Sequence, residues 1–108
     1  MKVYVSVPIS GRPISEAKRQ AESVKNILSK AGYEVITPFD VVPNPPDMPD
    51  KEQYAYCMGK DIEAILNCDA MAMCEGWEDS KGCTAERLVA IVYGKKFFRK
   101  PWDKPLTL

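Results

Sequence analysis

An α/β fold, arranged as a three-layer sandwich around a mostly parallel sheet of four to five strands, is what this 108-residue chain predicts. Three observations carry that expectation. Short β-rich runs alternate with helical stretches in the order βαβ, loop, αβαβ. Residues Ile14, Ala17, Ala21, Val24, Leu28 and Ala31 recur at gaps of three and four, one face of a helix. Glycine and proline punctuate the junctions.

Each element follows from its residues. Val3–Val7 is β-rich and opens the sheet, and Pro8-Ile9-Ser10-Gly11-Arg12-Pro13 is a loop by its glycine and prolines. The first helix is expected to start at Ser15 as N-cap, with Glu16 in its first turn, and to stop at Gly32. Tyr33–Thr37 is the second strand, ended by Pro38. Residues 38–50 hold five prolines and three aspartates without periodicity, which predicts a long loop of the kind that serves as a lid or binding segment. A helix from about Lys51 to Asn67 carries Tyr54, Met58, Ile62, Ile65 and Leu66 on one face. Asp69–Cys74 reads as a central strand. Ser80 is the N-cap of a helix to Tyr93, ended by Gly94, and Lys96-Phe97-Phe98 is a last short strand. The tail from Pro101 to Leu108 reads as irregular, with Trp102 assigned to packing or a subunit contact.

Composition bounds the function. One domain of this length buries a single core. Fifteen basic residues balance fifteen acidic ones, so bulk charge directs the chain neither to polymeric nucleic acid nor to an acidic partner. No apolar run is long enough to span a bilayer, and the N-terminus reads as a strand, so a cytoplasmic protein is expected. Cys57, Cys68, Cys74 and Cys83 form no CxxC pair, and histidine is absent. That pattern argues against a zinc site or a disulfide framework and for reduced, mostly buried thiols. Without histidine, acid–base or nucleophilic chemistry falls to carboxylates, hydroxyls and thiols. No metal or cofactor is expected.

In a sheet of this order, ligands bind beyond the C-terminal strand ends where the strand order switches. Three segments converge there: Pro8–Arg12, the proline-rich stretch, and Glu75–Gly82. Glu86 is the leading candidate, a lone carboxylate in the second turn of an apolar helix, with Gly82 and Ala90 four residues away and unable to pair with it. It reads either as a nucleophile or general base, or as a charge that bends to solvent or pairs with a distant lysine. Asp61 shares the apolar stripe of its helix, three residues after Met58 and four before Ile65. It reads as a cleft residue or as a stripe-edge charge. Ser80 and Gly82 open the last helix, where free backbone N–H groups and a hydroxyl suit an anion or a sugar hydroxyl, and ordinary N-capping explains Ser80 equally well. Ser10, Gly11 and Arg12 follow the first strand and offer a phosphate contact without a P-loop or dinucleotide pattern. Asp69 is a binding candidate or a turn residue, and Trp77 offers a flat surface for a base or sugar.

Together, Val3-Tyr4-Val5-Ser6-Val7-Pro8-Ile9-Ser10-Gly11, Lys60-Asp61-Ile62, Cys68-Asp69-Ala70, Asp79-Ser80-Lys81-Gly82-Cys83-Thr84-Ala85-Glu86 and Gly94-Lys95-Lys96 resemble the nucleoside 2-deoxyribosyltransferase superfamily. That superfamily includes the 2′-deoxynucleoside 5′-phosphate N-hydrolases, and Gly76–Gly82 is most similar to an uncharacterised branch. The resemblance spans residues 2 to about 97. It implies a flavodoxin/Rossmann-like fold and cleavage or transfer of the N-glycosidic bond of a small nucleoside or nucleotide, in a homodimer or higher homo-oligomer. It implies Glu86 as nucleophile, Asp61 as the aspartate that binds the sugar and helps protonate the leaving base, Tyr4 as the aromatic residue beside them, and Ser80 as a hydroxyl near the 5′ group. Val7 stands where the superfamily commonly has glycine. Ser10 stands where the N-hydrolases carry a phosphate-binding arginine, with Arg12 close enough to take that part. The alternative reading is a non-catalytic nucleotide- or ADP-ribose-like ligand-binding module, in which Trp77 and the helix start at Ser80 recognise a ligand without turnover. A third is a small structural or regulatory subunit.

Overall fold

Alternation along the first strand, β1 (Lys2–Ser6), divides the molecule into its two faces. Val3 and Val5 point to one side and pack with Ala21, Val24 and Leu28 of helix α1 (Ile14–Lys30). Tyr4 points to the other side, into a second cluster with Ile65, Met71, Ala90 and Phe97. In this computed structural model the described residues are 1–98 and the backbone of 106–107.

The sheet has the order β2-β1-β3-β4-β5, with β2 at Glu34–Ile36, β3 at Ala70–Met73, β4 at Lys96–Phe98 and β5 at Leu106–Thr107. The first four strands are parallel, and β5 runs antiparallel to β4. Helix α1 covers one face, while α3 (Asp50–Leu66) and α4 (Lys81–Val92) cover the other. The expected three-layer α/β sandwich is therefore present. Strand order reverses between β1 and β3, so their C-terminal ends open the switch-point crevice.

Several element boundaries differ from the sequence reading, each for a local reason. Helix α1 begins at Ile14 with Pro13 as N-cap, not at Ser15, because the Pro13 carbonyl accepts from the backbone N–H groups of Glu16 and Ala17 (3.1 and 3.2 Å). Ile14 and Ala31 consequently lie at the helix ends and are exposed. The stretch from Pro38 is not wholly irregular: Pro38–Val41 forms a short helix, α2. Thr37 caps it, its Oγ1 accepting from Phe39 N (3.2 Å) and Asp40 N (3.3 Å) while Asp40 accepts from Thr37 N (2.9 Å). Pro38 sits at the first helical position, where its missing N–H is not needed. A single 3₁₀ turn at Trp77–Asp79 precedes α4. The tail adds β5 at Leu106–Thr107, while Trp102 lies outside the described residues.

Helix α4 is less enclosed than its sequence suggests. It turns inward only the stripe Cys83, Glu86 and Ala90, and Leu88, Val92 and Tyr93 are exposed. Likewise α3 buries Asp61 and Ile65 while Tyr54 and Leu66 face outward. In both helices, then, an acidic residue is buried while larger apolar neighbours are not. Among the described residues no helix is long and apolar enough to cross a membrane.

Because the buried Thr37 hydroxyl accepts from Phe39 N and Asp40 N, replacing it with a methyl leaves the Phe39 N–H without its partner and the Asp40 N–H with the Thr37 carbonyl alone (3.0 Å). Thr37→Val is expected to lower unfolding stability by about 1–2 kcal/mol, measured by chemical denaturation.

Candidate active site

Glu86 lies in the second turn of α4 with only 4% of its surface exposed. A carboxylate so placed needs donors, and β1 provides them. Tyr4 and Ser6 are two residues apart on an extended strand, so both side chains project toward α4. Tyr4 donates its hydroxyl to Glu86 Oε2 (3.1 Å), and Ser6 donates to Oε1 (2.8 Å). Each oxygen of Glu86 is thus fixed by one hydroxyl from the central strand.

Asp61 reaches the same place from α3, where it shares the inward stripe with Ile65. It is buried, and its Oδ1 has no hydrogen-bond partner. Burial, followed by the adjacent charge of Glu86, raises its carboxyl from 3.8 to about 8. Burial also raises Glu86 from 4.5 to about 7, against the lowering effect of its hydrogen bonds from Ser6, Tyr4 and Asp61. The hydroxyls stabilise charge on Glu86, so the proton shared by the pair rests on Asp61. Burial, then the charges of Glu86 and Asp61, holds the Tyr4 phenol well above its usual value, so it stays a donor. The site therefore offers an ionised glutamate beside a protonated aspartate near neutral pH.

The thiols do not compete for the nucleophilic role. Burial pushes Cys74 up to about 12 and raises Cys83, which lies beside Ser6 and Ser80. All four cysteines are free, with Cys68, Cys74 and Cys83 buried and Cys57 half-buried. Among the described residues no group of three or more His, Cys, Asp or Glu side chains is placed to hold a metal ion.

Glu86 and Asp61 both line a cleft of about 830 Å³. Its walls come from Pro8–Arg12, from Phe39, Val42 and Pro45 of the proline-rich stretch, from Tyr54 and Met58 of α3, and from Ser80 and Gly82 at the start of α4. The proline-rich segment thus does form part of a cavity wall. A largely apolar cleft of this size with a few polar groups suits a small molecule.

The remaining sequence candidates divide. Ser80 faces the cleft and caps α4, its Oγ accepting from Cys83 N (3.2 Å). Gly82 faces it too, across from Met58 and Tyr54 of α3: a Cβ there would lie 3.4 Å from Met58 Cε and from the Tyr54 hydroxyl, in ordinary contact. Ser10 and Gly11 line the mouth, and Gly11 adopts φ +80°, a backbone that favours glycine. Arg12 lines the cleft, but its guanidinium is engaged: Nη1 donates to Gln20 Oε1 (2.6 Å) and to the Pro8 carbonyl (3.2 Å), and Nη2 pairs with Glu16 (3.5 Å).

Two candidates are misplaced. Asp69 sits at the N-terminal edge of β3, away from the cleft, where its Oδ2 accepts from the backbone N–H of Lys2 (2.8 Å). It ties strand starts together. Trp77 does not line the cleft either; the Arg87 guanidinium covers one face of its ring at 4.9 Å. Ser6, conversely, is a site residue that the sequence reading did not single out. The signal was its i+2 relation to Tyr4.

Comparison with known proteins places the fold. A solved structure described as a 2-deoxyribosyltransferase from the psychrotolerant bacterium Bacillus psychrosaccharolyticus superposes with a TM-score of 0.69 at 19% identity, covering 91% of this chain and 70% of that one. The two share a fold. The profile of a family described as "Domain of unknown function (DUF4406)" matches residues 1–98, and the chain belongs to that family. No curated protein matches the sequence.

The raised carboxyls make stability depend on pH in a defined direction. With folded values of about 8 for Asp61 and about 7 for Glu86, the folded protein holds protons that the unfolded chain has released. Stability therefore falls as pH rises from the ordinary carboxylate range through those values. Asp61→Asn removes one of these protons and relieves its neighbour. It is expected to raise the melting temperature by about 5 °C or more at pH 8 and to change it little at pH 5. Calorimetry of both proteins at the two pH values is the check.

Proposed function

We propose that this protein cleaves or transfers the N-glycosidic bond of a (deoxy)nucleoside or nucleotide, with Glu86 as nucleophile. The observation that carries the proposal is the buried pair: a glutamate fixed by Tyr4 and Ser6, beside a buried aspartate, both lining one cleft. The fold shared with a 2-deoxyribosyltransferase supports that substrate class.

The chemistry follows from the two carboxyls. Breaking a glycosidic C–N bond develops positive charge on the sugar C1′ and negative charge on the departing base. Ionised Glu86 stabilises the first and closes on C1′, forming a glycosyl ester. The electron pair of the C–N bond leaves with the base nitrogen, which takes the proton of Asp61. Asp61, now ionised, then accepts a proton from water, or from a second base as that base attacks C1′, and Glu86 is released. Water gives hydrolysis; a second base gives transfer. Tyr4 and Ser6 orient Glu86 and lower the energy of its ionised form. Exclusion of water by the apolar walls strengthens each of these interactions.

Glu86→Gln keeps the size of the side chain and one of its two acceptor oxygens while removing the nucleophile. It is expected to lower base release by about 10³-fold or more, with circular dichroism and melting showing a folded protein. Unchanged turnover in that variant contradicts the nucleophile assignment. Absence of turnover in the wild type, with a nucleoside still raising its melting temperature, favours a binding module instead. For the active enzyme, kcat/KM against pH is expected to be bell-shaped, rising as Glu86 ionises near about 7 and falling as Asp61 loses its proton near about 8. In Asp61→Asn the alkaline limb disappears.

A further inference from the structure

The Arg12 guanidinium is committed to the protein itself. Its shortest contact is to Gln20 of α1 (2.6 Å), and Gln20 in turn donates its Nε2 to the carbonyl of Glu75 (3.0 Å). The same guanidinium donates to the Pro8 carbonyl (3.2 Å). Pro8 follows β1, and Glu75 follows β3. Arg12 and Gln20 therefore link the two loops that leave the adjacent central strands at the switch point.

We propose that Arg12–Gln20–Glu75 is a strap that fixes the mouth of the cleft, and that by occupying its guanidinium it makes the site one for nucleosides with a free 5′-hydroxyl rather than for nucleoside 5′-monophosphates. This rests on the reading of the cleft as a nucleoside site. Two further observations support it. Among the described residues the cleft is lined by four acidic side chains, Asp50, Asp61, Asp79 and Glu86, against Arg12 and Lys81. Asp50 and Asp79 are exposed at the cleft, in full view of an approaching dianion. At the start of α4, the Ser80 oxygen already takes the Cys83 N–H (3.2 Å), which withholds that backbone donor from an incoming phosphate. A 5′-hydroxyl needs none of this cationic capacity; one donor or acceptor at the mouth satisfies it.

Gln20 is a positioning residue here, since it does not line the cleft. Gln20→Ala leaves Arg12 with only the Pro8 carbonyl and an exposed pair to Glu16, which holds it weakly. The guanidinium then becomes available to an anion.

The test compares 2′-deoxyadenosine and thymidine with their 5′-monophosphates. For the wild type, kcat/KM for base release is expected to favour the nucleosides by about tenfold or more. In Gln20→Ala the monophosphate-to-nucleoside ratio is expected to rise several-fold, a change that a merely structural loosening, acting on both substrates alike, does not produce. Preference for monophosphates by the wild type, or an unchanged ratio in Gln20→Ala, overturns the proposal. Thermal shift of the folded Glu86→Gln variant with the same four compounds reads binding without turnover. Larger stabilisation by the nucleosides supports the strap even where no base is released, an outcome that removes the catalytic reading alone. Larger stabilisation by the monophosphates, or none by any compound, overturns the strap's proposed consequence directly.

Discussion

Everything about this molecule's candidate site depends on two carboxyl groups buried against each other beneath two hydroxyls. Taking ionised carboxylates out of water is costly, and the cost is met only where donors are fixed in advance. Tyr4 and Ser6 meet it for Glu86, and they do so because β1 is central, paired on both edges by β2 and β3. A strand held on both edges cannot shift register without turning its side chains to the opposite face. Asp61 is left with a buried, unpartnered Oδ1. It avoids the cost of an isolated buried charge by retaining its proton.

The surrounding structure reads as support for that pair. Helices α3 and α4 bring Asp61 and Glu86 to one cleft, and Ser80 fixes where α4 begins. Asp69 fastens the starts of β1 and β3, so the opposite ends of the same strands are held in register at the cleft. Gln20 joins the loops that follow them. These polar contacts, which do no chemistry, lie at the ends of the central strands, while Tyr4, Ser6, Asp61 and Glu86 converge on one point. Local sites of this kind are where stability is given up, since an apolar pair in place of Asp61 and Glu86 would pack at lower cost.

Much of the architecture was legible in the sequence because it follows from period and punctuation. The βαβ order, the stripe of α1 and the cap at Ser80 all survive in the structure. Glu86 and Asp61 were legible for a related reason, as acidic residues on inward stripes. What escaped were features set by short-range hydrogen bonding or by tertiary neighbours. The helix at Pro38–Val41 follows from Thr37 and Asp40 bonding each other's backbone, a signal hidden among five prolines. Ser6 was hidden because a serine in a strand has no meaning until the helix opposite it is known. Trp77 and Arg12 were assigned outward roles from residue type alone, yet each is already engaged within the chain, by Arg87 and by Gln20. Residue type indicates what a side chain can bind, and only the fold indicates whether that capacity has been used.

The central claim is that Asp61 and Glu86 share a proton across neutral pH. Titration of the carboxyl carbons by NMR, in protein labelled at aspartate and glutamate and assigned with Asp61→Asn and Glu86→Gln, measures this directly. Two coupled steps are expected, near about 7 and about 8, above the ordinary carboxylate range. Asp61→Asn is expected to leave a single step for Glu86. Titration of both groups in the ordinary carboxylate range, near about 4, would contradict the claim.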